Sequence, residues 1–231
     1  MALVVLPEGQ QRSGKQGGMV WSHNAGGPYV RNRGIPTNPN TDRQIAVRNA
    51  MRTLSIAWNT ILTQAERDAW EVYGANVSWK NRVGATIFLG GLNQYVRSNS
   101  PLLINGLTRI DAAPTSYLLA AAEEDLVVTA SEATQVASIA FDDSPDWVDE
   151  DGAYQFVYGG LPQNASKKFF KGPYRLMGLI SGDSSTPPTT PASLAWPWPF
   201  AENNRLWCQT RIIRADGRLS EFAQTNFLGG A

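Results

Sequence analysis

The chain has 231 residues, of which 42% are hydrophobic, 17% charged and 10% aromatic, with 20 Lys and Arg balanced by 20 Asp and Glu. That length allows one generous domain or two small ones with a self-sufficient core. A single cysteine excludes an intrachain disulfide framework and a thiolate-rich metal site. The single histidine argues against His-ligated metals and His-dependent catalysis, and no apolar run approaches the roughly 18 residues of a membrane span.

The balanced total hides an asymmetry. Residues 1–115 carry 12 basic and 6 acidic side chains, a net of +6, and residues 116–231 carry 8 basic and 14 acidic, a net of −6. Between Ala121 and Asp151 there are ten acidic residues and no Lys or Arg. Such polarity can orient neighbouring subunits head to tail. The start, Met1-Ala-Leu-Val-Val-Leu-Pro, lacks the basic opening and long apolar stretch of a secretory leader, so none is expected.

Residues 1–40 are rich in Gly, Pro, Asn, Gln and Arg, with no helical period and only one short apolar run, Ala2–Leu6. They read as turn-broken extended pieces. Yet they hold Trp21, Tyr29, Val30 and Ile35, side chains a merely flexible tail has little reason to keep. An interaction arm is therefore expected here, with Trp21, Tyr29 and Ile35 as apolar anchors and Arg31 and Arg33 as charged contacts. Arginine among aromatics can also bind single-stranded nucleic acid. Seven arginines and lysines spread from Arg12 to Arg52 are dilute for that purpose, and protein contact is the preferred reading.

Residues 41–110 read as a helical unit. Thr41 and Gln44 have capping-box spacing ahead of an amphipathic stripe at Val47, Ala50, Met51, Leu54, Trp58, Ile61 and Leu62. Thr63 and Glu66 repeat the box before a helix carrying Trp70 and Tyr73, with Gly74 and Asn76 as its expected end. A third helix is expected from Thr86 to Asn99, stopped before Pro101.

From 111 to 231 the period changes to that of strands. Leu126–Ala130, Val136–Phe141, Ala153–Tyr158, Tyr174–Ile180, Arg205–Ile213 and Leu219–Phe227 are the expected strands. In the fifth, Leu206, Cys208, Thr210 and Ile212 alternate with Trp207, Gln209, Arg211 and Ile213. Ala215-Asp216-Gly217-Arg218 predicts a type I′ hairpin turn. Short strands punctuated by Pro and Gly point to an antiparallel β-sandwich, so the fold class is α+β.

Candidate chemistry is sparse. Asp142-Asp-Ser-Pro-Asp-Trp-Val-Asp-Glu-Asp151 could offer Ca²⁺ oxygens from Asp142, Asp143, Asp146 and Asp149, but without EF-hand spacing it reads first as a solvated acidic loop. A glycosidase pair within that loop is the weakest alternative. His23 lacks a nucleophile elbow, and Cys208 reads as an inert buried thiol. Phe169, Phe170, Tyr174, Trp196 and Trp198 lie in Pro-flanked aromatic segments that either cap the strand core or form a surface for partners or sugars. No cofactor and no catalytic residue is expected.

The paired strands around Arg214-Ala-Asp-Gly-Arg-Leu-Ser resemble the last hairpin of a fibronectin type III-like module. The chain as a whole resembles uncharacterised structural proteins of tailed bacteriophages and prophages. The matching pieces are Gly17-Gly-Met-Val-Trp-Ser, Pro36-Thr-Asn-Pro-Asn-Thr41, the Trp58/Thr63/Arg67/Trp70 pattern, Tyr95-Val-Arg-Ser-Asn, Asp146-Trp-Val-Asp-Glu-Asp, Phe169-Phe-Lys-Gly-Pro-Tyr-Arg175 and Thr186-Pro-Pro-Thr-Thr-Pro, besides that hairpin. The resemblance implies a non-enzymatic virion component. The expected role is a capsid-associated decoration or cement protein whose partners are the major capsid protein and copies of itself. A neck, tail or fibre component, or a carbohydrate- or receptor-binding module, are the alternatives.

Overall fold

A computed structural model describes residues 2–3, 12–24, 27–35, 37–80 and 86–231. Residues 4–6 of the expected apolar run, Ala25, Gly26 and Pro36 lie outside them. The chain divides into two compact units, Met1–Ile45 and Ala46–Ala231.

The first unit is more regular than its turn-rich composition suggests. Strands β1 (Ala2–Leu3), β2 (Gly14–Gln16), β3 (Met19–Asn24) and β4 (Gly27–Asn32) form an antiparallel sheet in the order β1-β4-β3-β2. The β2–β3 turn contains Gly17 at φ +59°, a left-handed conformation that glycine adopts without steric cost. Trp21 and Val30 stand opposite one another across β3 and β4.

Helix α1 (Asp42–Thr60) begins as Thr41 predicts, with the Thr41 hydroxyl accepting from the Gln44 N–H at 3.4 Å. The expected stripe is only partly covered. Ala50, Leu54 and Leu62 are buried, whereas Val47, Met51 and Ile61 remain exposed. Helix α2 (Gln64–Asn76) opens on a complete capping box: the Thr63 N–H donates to the Glu66 carboxylate at 2.7 Å, and the Glu66 N–H donates to the Thr63 hydroxyl at 3.3 Å. Gly74 does not terminate it. A Cβ there would stand 2.3 Å from the Leu89 carbonyl, so the glycine serves close backbone approach within the helix.

The third helix starts later and runs further than expected. Residues Thr86–Phe88 are strand β6, paired with β5 (Ser78–Lys80), and α3 spans Gly91–Ile104 with Pro101 inside it. Pro101 sits in the last turn, so the helix loses one N–H bond there and continues for three residues.

Two antiparallel sheets follow. One has the order β10-β9-β12-β13 (Tyr174–Ser181, Tyr154–Gly160, Arg205–Ile213, Ala223–Leu228) and the other β11-β8-β7 (Ala192–Ala195, Val136–Ala140, Val127–Ser131). Strand β11 is absent from the sequence reading, since its exposed Ser193 and Ala195 leave no strong apolar signal. Val128, Ala137 and Ile139 of the smaller sheet share one core with Val157, Ile180, Leu206, Cys208 and Ile212 of the larger. The opposite face of the larger sheet is covered too: Phe156 and Ile213 pack in a second core with Leu54, Trp70, Tyr73, Tyr95 and Leu102 of the helices. The mixed α+β architecture is therefore a layer of three helices on a pair of antiparallel sheets, and helices and strands form one packed unit.

The connection from α3 to β7 is pinned to that helical layer. The Trp70 indole N–H donates to the Asp111 carbonyl at 2.8 Å, and the Tyr95 hydroxyl donates to the Asp111 carboxylate at 3.0 Å. Arg109 pairs with the same carboxylate through Nε at 2.7 Å and Nη2 at 3.0 Å, which holds Asp111 below the usual carboxylate range. The hairpin at Asp216 also differs from expectation. Only Gly217 is left-handed (φ +90°), whereas a type I′ turn needs two such residues. Asp216 is held instead by accepting from the Arg218 N–H at 3.0 Å and Nε at 2.6 Å, and Gly217 fits against Trp70 and Ile110.

Candidate functional site

The arm residues divide into half-buried anchors and free ends. Trp21 and Tyr29 are half-buried within the first unit's sheet, and the Arg12 guanidinium lies 5.4 Å from the Trp21 ring centroid. Arg31 and Arg33 are exposed, and Ile35 is 78% exposed. His23 is exposed on β3, opposite Pro28.

The aromatic segments of the C-terminal part are mostly interior. Trp196 is 6% exposed, donates its indole N–H to the Gly160 carbonyl at 3.2 Å, and meets Phe200 and Phe227 edge to face. Phe170 is buried between Tyr174 and Trp207 at 5.2 and 6.2 Å. Phe169 is 70% exposed, and Tyr174 and Trp198 are half-buried, the latter with the Arg175 guanidinium 4.7 Å from its ring. Of the two readings of these segments, Trp196 follows the first, capping the strand core, and not the exposed platform: it directly follows β11 and is part of the core shared by the two sheets.

The acidic loop is held by structure-forming bonds. Asp142 accepts from the Ser144 N–H and hydroxyl at 2.9 and 2.6 Å, which lowers its pKa, and Asp151 accepts from the Ser184 N–H at 2.7 Å. Glu150 pairs with Arg214, while Asp143, Asp146 and Asp149 are exposed. Among the described residues no group of three or more His, Cys, Asp or Glu is arranged to hold a metal ion. Beside this loop, a recess of about 180 Å³ is lined by Glu123, Glu124, Asp125, Asp142, Pro145 and Trp147, among others. Glu123 is buried and accepts from the backbone N–H groups of Asp142 and Asp125 at 3.1 and 3.3 Å and from Gln155 Nε2 at 3.4 Å. Burial is the larger effect and raises its pKa.

A cationic cluster was not foreseen from the sequence. The Arg97 guanidinium carbon of α3 lies 3.6 Å from the Trp79 ring centroid, and that of Arg211, on β12, lies 5.7 Å from the same ring and 4.8 Å from Phe222. Arg211 is 9% exposed and donates through Nε to the Ser220 carbonyl at 3.0 Å. Burial first, and the field of Arg97 second, lower its pKa to about 10. Arg211 Nη2, Arg97 Nε and the indole N–H of Trp79 are all buried without a hydrogen-bond partner among the described residues. Strand alternation places Arg211 on the polar face of β12, and the helices then cover that face.

No family model matches the chain, and no curated protein does either. Among solved structures, a family 76 glycoside hydrolase from a bovine Bacteroides thetaiotaomicron strain is similar over 47% of this chain at 16% identity, with a TM-score of 0.34. This chain spans about a fifth of that hydrolase, and a likeness so slight carries no argument about fold or activity. No helix among the described residues is long and apolar enough to cross a membrane.

Proposed function

We propose that this chain is a non-enzymatic structural protein of a bacteriophage virion, a capsid-associated decoration or cement protein that binds the major capsid protein and copies of itself through residues 1–40. The observation that carries the reading is the set of uncovered side chains along one stretch of sequence: exposed Arg31, Arg33 and Ile35, followed by Val47 and Met51 on α1 and Ile61 just past its end. Apolar and arginine side chains left in water find their burial in a partner. The sheet orders β11-β8-β7 and β10-β9-β12-β13, three strands against four, support a fibronectin type III-like sandwich as the rigid body carrying these surfaces.

Quantitative mass spectrometry of purified particles tests the assignment. Copy number comparable to the major capsid protein is the expected result. A handful of copies per particle moves the chain to the neck, tail or fibres, and absence from the particle overturns the virion reading.

A further inference from the structure

We propose that Trp79, Arg97 and Arg211 form a carboxylate-binding site, and that its occupant is the acidic segment 142–151 of a second copy of this chain. The inference rests on the reading above only in taking the chain to contact copies of itself.

The site is built as an acceptor of negative charge. Two guanidinium groups share one indole ring at 3.6 and 5.7 Å, and neither is within an ion pair among the described residues. Glu221, which is exposed, favours both cations through its field without closing a bridge. Three N–H donors, Arg211 Nη2, Arg97 Nε and Trp79 Nε1, are buried and have no hydrogen-bond partner among the described residues. An unmet buried donor is costly, more so when charged, so the free chain holds an unsatisfied cationic cluster. A stacked guanidinium offers its outer edge as a fork, the geometry a carboxylate fills with two hydrogen bonds. Phe222, half exposed, lies over Arg211 and is the side chain that must shift for an anion to reach the deeper guanidinium.

The same chain supplies the complement. Residues 121–151 hold ten carboxylates and no Lys or Arg. Within 142–151, Asp142, Glu150 and Asp151 are engaged by Ser144, Arg214 and Ser184. Asp143 and Asp149 are exposed and in no ion pair among the described residues, and Asp146 reaches Arg214 only at 4.0 Å with its side chain 89% exposed. Asp143 and Asp149, with Asp146 only loosely tied to Arg214, can meet a partner, and opposite charge sets both encounter and register.

Sedimentation of the purified full chain over a concentration series, at low and high salt, decides the matter. The expected result is salt-sensitive self-association that weakens at least tenfold in Arg97→Ala and equally in the triple variant Asp143→Asn, Asp146→Asn, Asp149→Asn. A mixture of the two variants should associate better than either alone, because each supplies what the other lacks. The triple variant changes only exposed side chains outside both cores and breaks no contact closer than the 4.0 Å Asp146–Arg214 pair, and a urea-unfolding midpoint equal to the wild type's separates loss of association from loss of folding. A wild-type chain that stays monomeric, or self-association unchanged in both variants, overturns the proposal. Arg97-dependent binding of inorganic phosphate without self-association would also overturn it, by making the ligand a free oxyanion. Particle copy number is unaffected by any of these outcomes, so the virion reading stands or falls separately.

Discussion

The Arg97 guanidinium carbon and the Trp79 ring centroid are 3.6 Å apart, joining α3 to β5. A cation held over an indole face gains about 0.5–1 kcal/mol at an exposed site and 2 or more when desolvated. Here the ring is 5% exposed, and Arg211 approaches from the sheet beneath. Two like charges thus lie against one indole, and its negative face lowers the cost of holding both. That contact links the helical layer to β12, and it makes Trp79 part of the core and of the cationic cluster at once.

Trp196 and Trp198, two residues apart, should behave oppositely. Trp196→Ala removes a core ring and its hydrogen bond to Gly160, and it should cost about 3–5 kcal/mol of stability in urea unfolding. Trp198→Ala removes a half-buried ring over Arg175 and should cost about 1 kcal/mol or less. Equal losses at both positions would show that the burial contrast is wrong.

Glu123 should make stability fall as pH rises. Its pKa is raised in the folded chain, by burial first and by the charges of Asp142 and Asp125 as well, while backbone N–H bonds oppose the shift. The folded state therefore binds more protons than the unfolded state between the ordinary carboxylate value, about 4.3, and the raised one. Stability is highest below that window and is lost as pH climbs through it. Glu123→Gln removes the ionisation, and Gln155, whose Oε1 is unpartnered, can turn its amide to accept from the new side chain. Urea unfolding between about pH 4.5 and about pH 7 should show the wild-type chain losing stability relative to Glu123→Gln. Parallel curves would remove Glu123 as the cause.

Cys208 should be chemically silent in the folded chain. It lies fully buried between the sheets, and burial pushes its thiol up to about 12. Because the thiolate is the reactive form, an aromatic disulfide reagent at neutral pH should label the native protein very slowly. Unfolding should release one equivalent at once, matching the single cysteine. Rapid labelling without unfolding would mean that the two sheets separate readily.

Much of this was written in local pattern. Thr63 and Glu66 fixed the start of α2 because a capping box is closed within four residues, and the period-2 runs located β8, β9, β10 and β12 to within a residue or two at each end. Those signals need only neighbours in sequence. Gly74 and Pro101 misled for the same reason: both look like helix ends locally, yet one is required by the Leu89 carbonyl packed against it and the other is tolerated in a last turn held by tertiary contacts.

What the tertiary structure decided is which faces are covered. Alternation along β12 separates Leu206, Cys208 and Ile212 from Trp207, Arg211 and Ile213, but it cannot say whether the second face meets water. The helical layer lies on it, so Ile213 becomes core and Arg211 becomes a desolvated cation beside Arg97. Trp196 enters the interior in the same way, directly after a strand with almost no apolar signal of its own. Periodicity along a chain sets where a side chain points relative to its neighbours, and only packing between distant segments determines what it points at.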